Sequence, residues 1–294
     1  MSKRSVLITG CSRGGLGDAL AQESHRHGLR VIATARNLSK VAHLSDLGIE
    51  VVQLDVLSDS SIASAVTRVE QLLDNAGLDI LLNNAGGNYA MPVVDGNISE
   101  AKALFDLNFW SYITVTQAFI PLLRATAAGT ALIVNQTSIA AAMSTPWWGY
   151  YNASKAAAAL MTDTLRLEMQ PFNIRVCELR TGNVKSGFFN NQNAGNKPKL
   201  PEHSIYSPAS DHVEQYLTGD YLKADGMASE PWARAVVAQI TASNPPYRIW
   251  EGTHWWVGRI VCQYFPTWLV NMVFSQKSGV NKVVQIIRAE GKTK

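Results

Sequence analysis

The chain of 294 residues is 47% hydrophobic, enough to bury a full core near the upper size of one α/β domain. Its 26 Lys and Arg against 23 Asp and Glu leave a net charge of +3 at pH 7, too little for the concentrated basic face that nucleic acid demands. Cys11, Cys177 and Cys262 are widely spaced and free of any C-x-x-C pattern, which argues for unpaired thiols in a reducing compartment and against a disulfide framework. The six histidines lack metal-ligand spacing, so no metal is expected, and His25 and His27 read as solvated residues at a polar helix end.

Met1-Ser2-Lys3-Arg4 leads straight into an apolar run, which leaves no room for a signal segment and predicts a cytoplasmic protein. Ser5-Val6-Leu7-Ile8-Thr9 reads as a buried strand. It enters the glycine-rich turn Gly10-Cys11-Ser12-Arg13-Gly14-Gly15-Leu16-Gly17, with a helix expected from Asp18. Such a turn can be plain chain reversal, but between a strand and a helix it lets backbone amides approach a pyrophosphate. Further apolar runs at 30–35, 51–54, 80–82, 131–136 and 175–179 alternate with helical stretches. The pattern predicts an α/β fold built on a doubly wound parallel sheet.

The second run ends Ala33-Thr34-Ala35-Arg36-Asn37, without the acid that would bind an NAD ribose. Arg36, with Arg13 from the glycine turn, is expected to flank the extra phosphate of NADPH. Farther on, Tyr151-Asn152-Ala153-Ser154-Lys155 places a phenol and an ammonium on one helix face. The cation would lower the phenol's pKa and make it a proton donor near neutral pH.

The polar, Asn- and Pro-rich stretch from 183 to about 208 reads either as part of a substrate lid, assigned to 183–230, or as a surface insertion. A core domain is expected over 1–245 and an aromatic, basic extension over 246–294. Within that extension, Trp255, Trp256, Tyr264, Phe265, Trp268 and Phe274 precede Lys277, Lys282 and Arg288. Arg259, Gln263 and Asn271 interrupt the apolar run and Pro266 would break its helix, so it does not read as a membrane span. Two readings stay open: a cap on the substrate pocket or on a second subunit, or an interfacial helix pair at a membrane or lipid droplet.

The glycine turn, Asn83-Asn84-Ala85-Gly86, Asn108, Ser138 and Tyr151-x-x-x-Lys155 together resemble the short-chain dehydrogenase/reductase family over residues 5 to about 190. Two departures stand out: four residues rather than three separate Gly10 from Gly15, and Thr181 replaces the usual proline before Gly182. The resemblance implies a Rossmann fold and a catalytic tetrad of Asn108, Ser138, Tyr151 and Lys155. Ser138 would hydrogen-bond a substrate carbonyl and Tyr151 would protonate it. Lys155 would hold the cofactor ribose, and Asn108 would fix a relay water. It also implies cofactor contacts from Gly10, Ser12, Arg13, Gly15, Leu16, Gly17, Arg36, Asp55, Val56, Asn83, Ala85, Gly86, Gly182, Val184 and Ser186, and a homo-oligomer.

A narrower resemblance, to fungal NADPH-dependent reductases of acylated dihydroxyacetone phosphate, rests on 171–176, 200–206, Glu251-Gly252-Thr253 and 266–269. It implies a lipophilic ketone substrate, with the acylated phosphate ester as the leading candidate and a polyketide, terpenoid or steroid-like ketone as the alternative. A phosphate head group would require cations near the lid, where Lys185, Lys197 and Lys199 stand. The aromatic and basic extension leaves open peripheral contact with the ER membrane or a lipid droplet. Two other classes remain open: a non-catalytic NADPH-binding protein and a membrane-surface structural protein.

Overall fold

The computed structural model describes residues 3–126, 129–188, 198–220 and 225–290. Six parallel strands build the centre of the main sheet: β1 (Ser5–Ile8), β2 (Arg30–Ala35), β3 (Glu50–Gln53), β4 (Ile80–Asn83), β5 (Ala131–Ser138) and β6 (Ile174–Thr181). After a short pair, β7 (Val184–Lys185) and β8 (Met227–Ala228), β9 (Arg248–Glu251) adds the seventh strand of the main sheet. The order is β3-β2-β1-β4-β5-β6-β9. The doubly wound expectation is therefore met. The chain reverses direction between β1 and β4, the place where open α/β sheets bind ligands beyond their strand ends.

Side chains alternate along each strand, so each strand feeds two cores. Val6 and Ile8 of β1 join Ile80 and Leu82 of β4 in the core under α1 (Leu16–Arg26). Leu7 and Leu81 join the opposite core, with Val69 of α3 (Asp59–Leu72) and Phe119 of α5 (Ser111–Arg124). Burial on both faces explains why these strands read as continuous apolar runs. Between these helices lie α2 (Ala42–Ser45) and α4 (Ile98–Phe105), and α6 (Gly149–Glu168) follows β5. Local chemistry sets several starts: the Ser58 side chain accepts from Ser61 N at α3, and Asn97 accepts from Ser99 N and Glu100 N at α4.

β9 was not legible in the sequence, and it moves the expected boundary at 245. Of its four residues only Ile249 is buried, and a four-residue edge strand that begins with Arg248 and ends with Glu251 is too short to show as an apolar run. It is held by charge. Glu178 of β6 is fully buried, accepts from Thr137 Oγ1 at 2.8 Å and Arg180 Nε at 2.6 Å, and pairs with Arg248 Nε. Arg248 also reaches Asp163 of α6 at 2.8 Å. The sheet therefore continues into the segment assigned to the extension.

The remainder of that segment runs through a π-helical turn Val257–Val261, a short helix Cys262–Tyr264, a break at Pro266, and helices Thr267–Lys277 and Val280–Glu290. These fold back on the body of the protein. Val283 packs with Trp147, Trp148, Val213 and Leu217 in a third apolar cluster, and Trp147 Nε1 donates to Ser278 O at 2.9 Å. Trp147 adopts a left-handed backbone (φ 71°), a strained conformation for a bulky residue, directly before α6. Among the described residues no helix is long and apolar enough to cross a membrane, and all three cysteines are free.

Candidate active site

Beyond the carboxyl ends of β1, β2, β4, β5 and β6 lies a cavity of about 1170 Å³. One end is built by the glycine turn. Gly10 has φ 75°, and a Cβ there would stand 2.9 Å from Ala85 Cα, so the turn presses against the loop after β4. A Cβ on Gly17 would meet Asn84 Nδ2 and Gly10 O at 2.5 Å. Gly17 thus packs α1 onto the turn and does not face the cavity, unlike Gly10, Ser12, Gly15 and Leu16. The helix opens at Leu16, two residues before the expected start. Asp18 is engaged elsewhere, accepting from Gly14 N at 2.8 Å and pairing with His43 Nε2 at 2.8 Å.

Arg36 lines the cavity where β2 ends, and Asp55 and Val56 line it after β3. Arg13 does not: it is exposed and outside the lining. The second cation there is Lys40, whose carbonyl accepts from Arg13 N at 2.9 Å. Only its position four residues after Arg36 hinted at this. Asn83 is also displaced from its expected role. It is 1% exposed and donates to Thr116 Oγ1 and Asn135 Oδ1, knitting β4 to β5 and α5. The cavity wall is supplied by Asn84, Ala85 and Gly86 instead.

At the centre, Ser138 ends β5 and Tyr151 and Lys155 project from the first turns of α6. Ser138 Oγ accepts from Ala140 N at 3.1 Å, which leaves its own proton to be donated, here toward Tyr151. Burial pushes the Tyr151 phenol up to about 12, and a hydrogen bond with Ser138 pulls in the other direction. Burial lowers the Lys155 ammonium to about 7. Its Nζ donates to Gln136 O at 3.0 Å and to Tyr112 Oη at 3.3 Å. The expected depression of the Tyr151 pKa by Lys155 is therefore not found: the ammonium is turned to the strand, and desolvation disfavours both charged forms.

Asn108 is fully buried in a π-helical turn, Asp106–Trp110, and does not line the cavity. Its side chain accepts from Gly87 N (2.8 Å) and donates to Gly87 O (3.0 Å) and Ser154 Oγ (3.0 Å). Protein groups thus hold the side-chain amide, and it clamps the loop after β4 to α6.

Gly182, Val184 and Ser186 follow β6 on the cavity wall. A Cβ at Gly182 would lie 2.3 Å from Thr253 O, so this glycine lets the chain after β9 approach. The outer walls are apolar: Met143, Trp148 and Phe188 on one side, and Trp256, Val257, Val261, Val273 and Phe274 from the C-terminal segment. Lys277 and the hydrogen-bonded pair His254 and Asp225 add polar groups. Lys185 and Lys199 are exposed and outside the lining, and Lys197 lies outside the described residues, so the cation on this side of the cavity is Lys277.

A family model described as short chain dehydrogenase matches residues 4–197. The chain belongs to the short-chain dehydrogenase family. A short-chain dehydrogenase/reductase of Pestalotiopsis microspora is 41% identical over 287 residues, covering 98% of both chains. An NADPH-dependent 1-acyldihydroxyacetone phosphate reductase of Schizosaccharomyces pombe is 36% identical over 209 residues, 70% of this chain and 69% of that protein. Among solved structures, a short chain dehydrogenase from Burkholderia cenocepacia in complex with NADP aligns with a TM-score of 0.63 at 25% identity, over 84% of this chain and 88% of the other.

This dehydrogenase is accordingly an oxidoreductase whose family uses a nicotinamide dinucleotide. The cavity has polar groups waiting for such a ligand. Gln136 Oε1, Asn152 Oδ1 and Thr181 Oγ1 are buried on its wall without a hydrogen-bond partner among the described residues, an arrangement that native proteins rarely leave unfilled. Of the described residues, none form a cluster of three or more His, Cys, Asp or Glu able to hold a metal ion.

Proposed function

We propose that this dehydrogenase uses NADPH to reduce the ketone of a bulky, lipophilic substrate to a secondary alcohol. The observation that carries the reading is a single cavity in which Ser138 and Tyr151 stand between a glycine turn with two cations and an apolar outer wall. NADPH, when bound, supplies the hydride. Arg36 and Lys40 would hold its adenosine phosphate, with Ser12, Gly15 and Leu16 at the pyrophosphate and Asp55 and Val56 at the adenine. Ala85, Gly86, Gly182, Val184 and Ser186 would line its length, and Lys155 would reach the ribose.

The protein's own chemistry is proton handling at one oxygen. Ser138 Oγ, its lone pair engaged by Ala140 N, donates a hydrogen bond to the substrate carbonyl and stabilises the negative charge that develops there. Tyr151 keeps its proton through the neutral range and delivers it to that oxygen. Asn108 holds α6 in place beside the loop after β4, which fixes the position of both Tyr151 and Lys155.

Lys277 favours a second reading of the substrate. A cation beside apolar walls suits a ketone with a long chain and an anionic head, such as 1-acyldihydroxyacetone phosphate, the substrate named for the Schizosaccharomyces pombe relative. The test is NADPH oxidation by the purified protein with a panel containing that ester, neutral polycyclic ketones, and small aldehydes and sugars. Activity confined to small hydrophilic carbonyls refutes both versions. Loss of activity on the phosphate ester alone in Lys277→Ala selects the anionic one.

A further inference from the structure

We infer that the segment from Trp256 to Val273 docks this dehydrogenase on an anionic phospholipid surface, so that the mouth of its cavity opens against the lipid. Seven large apolar side chains in that stretch are exposed: Trp256, Ile260, Tyr264, Phe265, Trp268, Met272 and Val273. Trp256, Ile260 and Tyr264 recur every four residues before Pro266, and Trp268 and Met272 do so after it, so each helical piece shows an apolar stripe. Tyr264 is 79% and Trp268 68% exposed. Rings of this kind, with an apolar body and a polar tip, settle at the headgroup level of a bilayer.

The helix Thr267–Lys277 makes the point most sharply. It buries Val270 and Phe274 against the protein and still turns Trp268, Met272 and Val273 outward. A helix apolar on opposite sides is at home with a second apolar medium on its outer face. At 11 residues it measures about 16 Å by helix rise, which lets it lie in the interface but not span it.

Charge identifies the medium. From Gly252 to Ala289 the sequence contains no Asp or Glu, while Arg259, Lys277, Lys282 and Arg288 are all present and exposed. Basic groups beside an apolar stripe match an anionic lipid surface. A second copy of the chain docked through the same patch would bring like charges together across a two-fold axis, which opposes self-association. The location adds a reason for docking. Trp256 of the stripe and the exposed Val273 also line the cavity, together with Val257 and Val261. A lipophilic molecule dissolved in the bilayer would enter past these apolar side chains, with Lys277, His254 and Asp225 as the polar groups at the same side of the cavity, avoiding full transfer through water.

Flotation of the full-length protein with vesicles tests this directly, and its readout does not depend on the identity of the substrate. Vesicles of phosphatidylcholine containing about one-third phosphatidylserine are expected to carry the protein, and vesicles of phosphatidylcholine alone to carry much less, the difference shrinking with added salt. Tyr264 and Trp268 lie outside the cavity lining, so Tyr264→Glu with Trp268→Glu is expected to lower the bound fraction at least tenfold while NADPH oxidation with a water-soluble ketone stays unchanged. Lys282→Glu with Arg288→Glu should weaken binding to anionic vesicles only. Failure of the wild type to float at low salt, or equal flotation of the Glu variants, overturns the inference. A wild type that stays off vesicles but sediments as a dimer, with the Glu variants as monomers, overturns it in favour of a second copy.

Discussion

The ammonium of Lys155 donates to the main-chain carbonyl of Gln136 over 3.0 Å, two residues before Ser138 on the same strand. This bond joins α6, which carries Tyr151, to the strand that carries the serine. With Tyr112 Oη donating to the same carbonyl at 2.8 Å, the two residues proposed to handle the proton stand on elements held in one hydrogen-bonded unit.

Burial of Lys155 has a pH signature. Its pKa is lowered to about 7 in the folded protein, whereas the unfolded chain holds that proton up to about 10.4. Between these values the unfolded state binds more protons, so this group makes the fold more stable as pH rises from below 7. Lys155→Met should remove that increment. Urea midpoints at pH 6 and pH 9 measure it: the rise should be larger in the wild type than in the variant.

Tyr151→Phe should retain NADPH binding and lose about a hundredfold or more in turnover, the usual scale for removing a general acid. Steady-state rates combined with a fluorescence titration of NADPH separate the two effects. Wild-type turnover in the variant would assign the proton to another group.

NADPH should bind at least tenfold more tightly than NADH, about 1.4 kcal/mol. Arg36→Asp should shrink or reverse the difference, Lys40→Ala should reduce it, and Arg13→Ala should leave it almost unchanged because Arg13 is outside the cavity lining. Equal affinities for the two cofactors by calorimetric titration would remove the assignment.

Asn108→Ala should leave Gly87 N, Gly87 O and Ser154 Oγ short of a partner, and a buried polar group so orphaned costs about 1–3 kcal/mol. The urea midpoint should fall and turnover should drop with it, since Ser154 Oγ also donates to Tyr151 O at 2.8 Å. Gly182→Ala should be destabilising on the overpacking scale of about 1–3 kcal/mol, read by the same unfolding curve, because its Cβ would collide with Thr253 O.

Strands buried on both faces left runs such as Ser5-Val6-Leu7-Ile8 that period and burial make plain, and the Tyr151 and Lys155 pair is visible because four residues make one helix face. What depends on long-range contact was hidden. Asn83 and Asn84 are chemically identical, and only the fold turns the first, at the end of β4, toward Asn135 and sets the second, just past the strand, on the cavity wall. Arg13 and Lys40 are both surface cations in sequence, and only the fold places Lys40 on the cavity lining and Arg13 outside it. The Arg248–Glu251 strand is stabilised by Glu178, seventy residues away, a partnership that no local pattern encodes.

The indole of Trp147 binds Ser278 while its backbone leads into Gly149, the first residue of the helix that bears Tyr151. For protein engineering this makes the C-terminal helices part of the reaction chamber, not a removable tail. Trimming the chain before Val273 would free the Trp147 indole, two residues ahead of the helix that bears Tyr151, and take away the wall formed by Val273 and Phe274. Grafting the segment after β9 from a relative would instead exchange part of the apolar wall of the cavity while leaving Ser138, Tyr151 and Lys155 on their own scaffold. Part of the cavity wall and the residues proposed for the bond chemistry thus lie in different lengths of one chain, packed together through the cluster around Trp147.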